Sequence, residues 1–358
     1  MPADTITWLH LSDFHADPCR EEPWPAIDFE LESDVTELAK VLGPPDLVLL
    51  TGDLTAHGFA AEYEQVDLLL ERLETWLGRR LPVVAVPGNH DVRRPASPWR
   101  YVALREYDQH PSLHHDLWEQ GEPLLQPLFA PYMEWSRRRV IEPLLQHGHE
   151  VHVSSRIPGD LSVVFDKGPT RLGLVGLNTA WSSLWDDAQG QLHLLPSQLH
   201  AALPPAASGD PLDWFHDVDA AVLLTHHPRS WLNAKSKKAY KSRIFPPGRF
   251  ALALHGHQHE PWGELASSAR PRAIYQAPSL YGRPYHRAAG AGGHEERTMG
   301  YAWGRRWADG QIRVWPRRRV DRKTGRWGLD PDGGYQQADD AVGGVVVVSP
   351  DGDPARRR

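Results

Sequence analysis

The chain alternates short apolar runs with longer segments of helical periodicity. Residues 5–11 (Thr-Ile-Thr-Trp-Leu-His-Leu) read as a strand, and 29–42 carry Leu31, Val35, Leu38 and Val41 at the spacing of one helix face. The pattern repeats, with 46–50 as a buried strand, 60–77 as an amphipathic helix and 82–86 as a further strand. Short apolar strands alternating with helices imply an α/β fold, a sheet covered by helices on its faces. From 95 to 149 the character changes to long Trp- and His-rich sequence with helical stretches, which reads as an insertion over one end of the sheet, the material of lids. Strand signals resume at 151–154, 161–165, 171–177, 220–224 and 250–254, enough for a second sheet. Segments 273–277, 300–307 and 311–315 look like closing strands, and 350–358 like a flexible tail.

Polar residues interrupt this pattern at the strand ends. Asp13-Phe14-His15 follows the first strand, and in extended backbone the two side chains would share a face. Gly52-Asp53 follows the second, where glycine permits a tight bend that brings a carboxylate to the strand end. Gly88-Asn89-His90-Asp91 follows the third: the amide oxygen is an uncharged hard ligand, the histidine can act as an acid, and the aspartate can orient it. Thr225-His226-His227-Pro228 and Gly256-His257-Gln258-His259 follow two later strands, and imidazole is the commonest metal-binding side chain. Each piece alone has an ordinary explanation; Asp53, for example, could cap the next helix. Five strand ends delivering such residues in one chain make coincidence improbable, because ligand sites of α/β sheets collect beyond the carboxyl ends of strands.

This order of motifs, spanning about residues 9–280, resembles the calcineurin-like metallophosphoesterase superfamily. The resemblance implies two central mixed β-sheets flanked by helices and a pair of divalent metal ions. One ion would be held by Asp13, His15, Asp53 and His259, and the other by Asp53, Asn89, His226 and His257, with Asp53 bridging. The family's histidine sits two residues before the proline, which selects His226 and leaves His227 as the alternative. Nitrogen and oxygen ligands without thiolate suit manganese, with iron and zinc open. Such a cluster stays positive, attracts an anionic phosphoester and supports in-line attack by a bridging hydroxide. His90 would protonate the leaving oxygen, with Asp91 holding its ring. Gly52-Asp53-Leu54-Thr55, Gly58, Glu62-Tyr63 and the His-His-Pro segment look most like the class III cyclic-nucleotide phosphodiesterase branch, although the chain departs from it at Ala56, Val92-Arg93 and Arg229. Residues 1–290 would then form the catalytic domain and 291–349 basic strands completing a sheet.

Composition narrows the setting. At 358 residues, 41% hydrophobic and 24% charged, the chain suits one large elaborated core. The single Cys19 excludes an intramolecular disulfide and the start lacks a signal-like apolar region, from which a cytoplasmic location is expected. No run approaches the roughly 18 apolar residues of a membrane span. A net charge of −7 argues against a general polyanion binder. A basic stretch nevertheless runs through Arg305, Arg306, Arg313, Arg317, Arg318, Arg319, Arg322, Lys323 and Arg326, opposed only by Asp309 and Asp321; it reads as a solvated face before a nucleic-acid patch. In the insertion, Trp99, Tyr101, Trp118 and Trp135 read as core packing before base stacking. A nucleotide or other phosphodiester is the expected substrate. The alternatives are a nuclease of the double-strand-break repair type, a protein phosphatase and, least, a non-catalytic binding module, since no ligand of the set is missing.

Overall fold

β1 (Ile6–Leu11) is buried along its whole length because both of its faces are covered, one by helices and the other by a second sheet. The computed structural model describes residues 4–18, 24–94, 101–120, 124–185, 188–258, 262–266, 272–280, 299–322, 327–333 and 342–348. The expected ligand His259, the lone Cys19, Trp99, Lys323, Arg326 and the tail 350–358 lie outside the described residues.

The first sheet gathers β1, β2 (Leu47–Thr51), β3 (Val83–Val86), β11 (Gly300–Arg306), β12 (Ile312–Asp321), β13 (Trp327–Pro331) and β14 (Val345–Val348). Its order is β13-β12-β11-β1-β2-β3, with β14 also on β12; β1, β2 and β3 run parallel, and β11 joins β1 antiparallel. The second sheet holds β4 (Glu150–Val153), β5 (Leu161–Lys167), β6 (Thr170–Gly176), β7 (Ala220–Leu224), β8 (Leu252–His255), β9 (Trp262–Ala266) and β10 (Arg272–Gln276), in the order β4-β5-β6-β7-β8-β10-β9. Both sheets are mixed and carry helices, so the fold is the two-sheet α/β architecture expected.

Side-chain alternation explains the layers. On β7, Val222 and Leu224 point into the core shared by the two sheets, whereas Ala221 and Leu223 join a second cluster with Leu199, Tyr240 and Phe250. Helix α1 (Trp24–Leu42) buries Leu31, Val35, Leu38 and Leu42 against the first sheet. The helix begins five residues before the expected start at 29, and Val41 is 60% exposed instead of buried. Ten residues beyond Leu31 is about 80° off the apolar stripe at 3.6 residues per turn, and Leu42 takes the place. Helix α2 (Ala60–Leu77) packs with Val66, Leu69, Leu70 and Leu73 inward.

Within the insertion, the helix Gln126–Ser136 contributes to the main core. Trp135 stacks on Tyr63 of α2 at 5.4 Å between ring centres, and the Tyr132 hydroxyl donates to the Ala85 carbonyl at 2.9 Å. Tyr101, Leu104, Tyr107 and Leu117 make a separate small core with Val92, Ile157 and Trp181, and Trp118 packs against it.

The basic stretch is not simply a solvated face. β12 extends to Asp321, beyond the expected end at 315, and carries Arg317 inward, where its Nε donates to Asp34 on α1 at 2.9 Å and the Tyr301 hydroxyl donates to the same carboxylate at 2.7 Å. Arg306 is only 4% exposed, and Arg305 donates to the Leu42 carbonyl. The charge that sequence assigned to one surface is divided between interior and exterior: Arg306 and Arg317 are buried, whereas Arg318, Arg319 and Arg322 are exposed.

Candidate metal centre

The loops after β1 and β2 continue to pair beyond the ends of the strands. The N–H groups of Asp13 and His15 donate to the carbonyls of Gly52 (3.0 Å) and Asp53 (2.9 Å), and that of Ala16 to Leu54 (2.9 Å). This pairing holds Asp13 (φ 56°), His15 (φ 50°) and Asp53 (φ 51°) in left-handed backbone, and His257 (φ 75°) matches them from the loop after β8. Among the described residues no other non-glycine has a positive φ, and all four are sequence-predicted ligands. Asp13 and His15 therefore meet through two left-handed residues, not through the extended run expected of them. Such conformations cost of order 1–3 kcal/mol each and persist where the surroundings over-determine them.

Two glycines make the convergence possible. A Cβ on Gly88 would fall 2.2 Å from Asp53 Oδ1, and one on Gly256 would fall 2.4 Å from Asp13 Oδ2. Each loop closes on a candidate ligand carboxylate at a distance that only hydrogen at the α-carbon permits.

The side chains come together around Asp53. Its Oδ2 lies 3.2 Å from His226 Nε2 and 3.9 Å from His15 Nε2, while its Oδ1 accepts from the His90 N–H at 2.8 Å. His226 Nε2 is also 3.2 Å from Asn89 Oδ1 and 3.2 Å from His257 Nδ1. His15 Nε2 is 4.0 Å from Asp13 Oδ1, and the Asp13 carboxylate accepts from the His257 N–H at 3.0 Å. Three groups thus offer ligand atoms within 4.8 Å of one another: His15, Asp53 and His90; Asp13, Asp53 and His226; His226, His227 and His257. Six of the seven expected ligands are brought to one place, the seventh being His259.

Residues 6–261, well over half of the chain, match the family model for calcineurin-like phosphoesterases. The chain belongs to the calcineurin-like phosphoesterase family. Solved structures similar to it include a dimetal phosphatase from Danio rerio (13% identity, 96% of this chain and 99% of that one, TM-score 0.44). Others are vacuolar protein sorting 29 from Cryptosporidium parvum (11%, 91% and 96%, 0.36) and a calcineurin-like phosphoesterase from Bacillus subtilis (10%, 96% and 91%, 0.39). No curated protein matches the chain.

The family is binuclear and metal-dependent, and the donor set here fits a pair of divalent ions. Two carboxylates, one amide oxygen and imidazoles are the ligands such ions take, and Asp53 stands in two of the three groups, where a bridge is needed. Support from behind is equally specific. His226 Nδ1 lies 2.7 Å from the Thr51 carbonyl, which can only accept, so Nδ1 carries the proton and Nε2 is left facing Asp53 and Asn89. His227, the alternative ligand, turns its Nδ1 to the Thr179 hydroxyl at 2.9 Å, and its ring packs on His257 at 4.4 Å. Trp231 closes the far side of His257, edge to face at 3.9 Å.

Electrostatics follow the geometry. Burial alone would raise Asp53, but His226, His90 and His15 outweigh it and hold the carboxyl well below its usual range. Burial likewise works to lower His226, yet Asp53 and Asp13 push it up to about 9. Beneath the site, burial drives His10 down to about 3 and His255 down to about 4, keeping both neutral.

Asp91 does not hold the His90 ring, contrary to expectation. Its carboxylate accepts from the N–H groups of Leu54 (3.2 Å), Thr55 (3.0 Å) and Gly88 (2.8 Å) and from the Thr55 and Tyr63 hydroxyls, so it ties two ligand loops together. Burial, then the charge of Asp53, raises it to about 6. The His90 Nδ1 instead donates to the Ala56 carbonyl at 2.8 Å, and its ring meets His15 edge to face at 4.6 Å. Sequence reasoning missed the carbonyls of Thr51 and Ala56 because a backbone acceptor leaves no mark in the residue order. Thr179 and Trp231 belong to no motif either.

Proposed function

We propose that the chain is a binuclear metal-dependent phosphoesterase acting on a phosphodiester, with Asp13, His15, Asp53 and His259 holding one ion and Asp53, Asn89, His226 and His257 the other. The observation that carries this reading is the position of Asp53, whose carboxylate lies between His226 and His15 and within two of the candidate ligand groups. A pair of divalent ions held there supplies Lewis-acid activation of water and neutralisation of phosphoryl oxygens.

The remaining steps fall to side chains. His90 donates through Nδ1 to Ala56, which leaves Nε2 as the atom that exchanges a proton with the leaving oxygen. Asp91, satisfied by five donors, keeps the loops of Asp53 and Asn89 in register, so its role is positional. The resemblance of Gly52–Thr55, Glu62-Tyr63 and His226-His227-Pro228 to diesterases favours a diester over a monoester, and manganese is the metal to load first.

The test is a panel with manganese-loaded protein, covering bis(p-nitrophenyl) phosphate, p-nitrophenyl phosphate, cyclic nucleotides, phosphopeptide and DNA. Diester turnover above monoester turnover, abolished by chelation and by Asp53→Asn, is expected. Activity surviving either treatment sinks the metal reading, a preference for phosphopeptide or p-nitrophenyl phosphate replaces the diesterase assignment, and a preference for DNA narrows it to a nuclease.

A further inference from the structure

Immediately beyond Ala56, whose carbonyl anchors His90, a short turn presents two rings to solvent. His57 has 58% of its side chain exposed and Phe59 is 52% exposed, with the rings 6.1 Å apart and tilted by 31°. The turn is pressed onto the loop that carries Asn89 and His90. Gly58 (φ +73°) sits so close that a Cβ would meet the Arg93 nitrogen at 2.9 Å and the Asp91 carbonyl at 3.0 Å, and its N–H donates to the Thr55 hydroxyl at 3.2 Å. The turn that carries both rings therefore abuts His90, through the Ala56 carbonyl, and residues 91–93 that follow it.

Two features show a turn built to hold these rings. Glu62, 3% exposed, spends one oxygen on the N–H groups of His57 (3.0 Å) and Phe59 (2.9 Å) and the other on His57 Nδ1 (2.8 Å). The imidazole is thereby fixed at Nδ1, while Nε2 has no partner among the described residues. In addition, Phe59 occupies the N-cap of α2, a position that favours Ser, Thr, Asp or Asn. Glu62 already supplies the cap through the backbone, so local structure gives no reason for a phenyl ring left in water. Sequence that breaks a local rule in this manner tends to mark function.

We propose that His57 and Phe59 form a platform beside the metal centre that receives the planar ring of the substrate, a nucleobase or aryl group, and that Glu62 is the positioning residue for His57. The proposal rests on the phosphoesterase reading above and names its substrate class. Stacking of a base on an aromatic side chain is sequence-tolerant, so the platform selects for a ring and not for one particular base.

Titration calorimetry of the manganese-loaded protein with adenosine 5′-monophosphate and with inorganic phosphate tests it. Wild type should prefer the nucleotide by about five- to hundredfold, the worth of one stacked base. Phe59→Ser, which improves the helix cap and so cannot act by unfolding, should remove most of that preference and leave phosphate affinity unchanged, as should His57→Ala. Glu62→Gln, which keeps an acceptor for the cap, should weaken the preference at unchanged melting temperature; a full preference in that variant overturns the positioning role. Equal affinity for the two ligands in wild type, or a preference that survives Phe59→Ser and His57→Ala, overturns the platform. Turnover decides the parent reading separately: a metal-loaded wild type that hydrolyses no phosphoester refutes the phosphoesterase while the calorimetric preference still decides the platform.

Discussion

His226 Nε2 stands 3.2 Å from Asp53 Oδ2, while the Nδ1 of the same ring, 2.7 Å from the Thr51 carbonyl, ties it to the end of β2. One imidazole carried by the second sheet is thus oriented by the backbone of the first. The candidate metal centre sits across the seam of the sandwich, and its geometry depends on the packing of the two sheets.

His90 has a role separable from the ligands beside it. His90→Ala should lower kcat by about 10²–10⁴-fold with two metal ions per chain retained by elemental analysis. A parallel loss of metal would show that His90 acts as a structural part of the site instead.

The closeness of Gly88 to Asp53 makes it a sensitive position. In Gly88→Ala the added Cβ, 2.2 Å from the Asp53 carboxylate and 2.3 Å from its nitrogen, must displace Asp53, the proposed bridge. Metal affinity should fall by about 10–100-fold, the range for lost ligand support, with circular dichroism unchanged. Full affinity in this variant would mean that the loops separate without cost.

Arg317 and Asp34 join β12 to α1 in the interior. Asp34→Ala strands a buried guanidinium and should cost about 3–5 kcal/mol in urea unfolding, with kcat/KM at 25 °C unaffected because the pair lies in no ligand loop. A cost below about 1 kcal/mol would mean that the pair behaves as a surface ion pair.

Asp160 gives a pH signature. Burial raises its carboxyl well above 3.8, while Oδ1 accepts from the Asn178 N–H at 2.7 Å and the Gln198 amide at 2.9 Å. The folded state therefore holds this proton longer than the unfolded chain does. Its contribution to stability is fully present below about 3.8 and is lost as pH rises through the raised folded value. Asp160→Asn, which does not titrate, should be more stable than wild type at about pH 8 and lose that advantage toward about pH 4. A pH-independent difference in urea unfolding would place the charge cost elsewhere.

Much of the architecture is legible in residue order because burial dictates it. A strand covered on both faces must be mostly apolar, so β1, β2, β3 and β7 stand out despite Thr7, His10 and Thr51, and each motif could be assigned to a strand end. Register was less legible. Val41 and Leu42 are both apolar, and the helical period, which carries Leu42 and not Val41 onto the stripe of Leu31, Val35 and Leu38, decides between them. Arg317 reads as surface charge until Asp34 is seen beside it, and β9 carried too little pattern to be read as a strand, while β13 and β14 fall within the strands expected over 291–349 without being placed one by one.

Residue order alone supplied the candidate ligands: two aspartates, an asparagine and histidines, each at a strand end, in the order of one family. Tertiary structure decided how they are used. It turned His226 toward Asp53 and Asn89 and His227 toward Thr179, set Asp13, His15, Asp53 and His257 in left-handed backbone, and gave the His90 ring to the Ala56 carbonyl instead of Asp91. The reason is physical. Ligand type is a property of a side chain, whereas the choice of nitrogen and direction depends on backbone acceptors brought in from distant strands, and those exist only once the two sheets have packed.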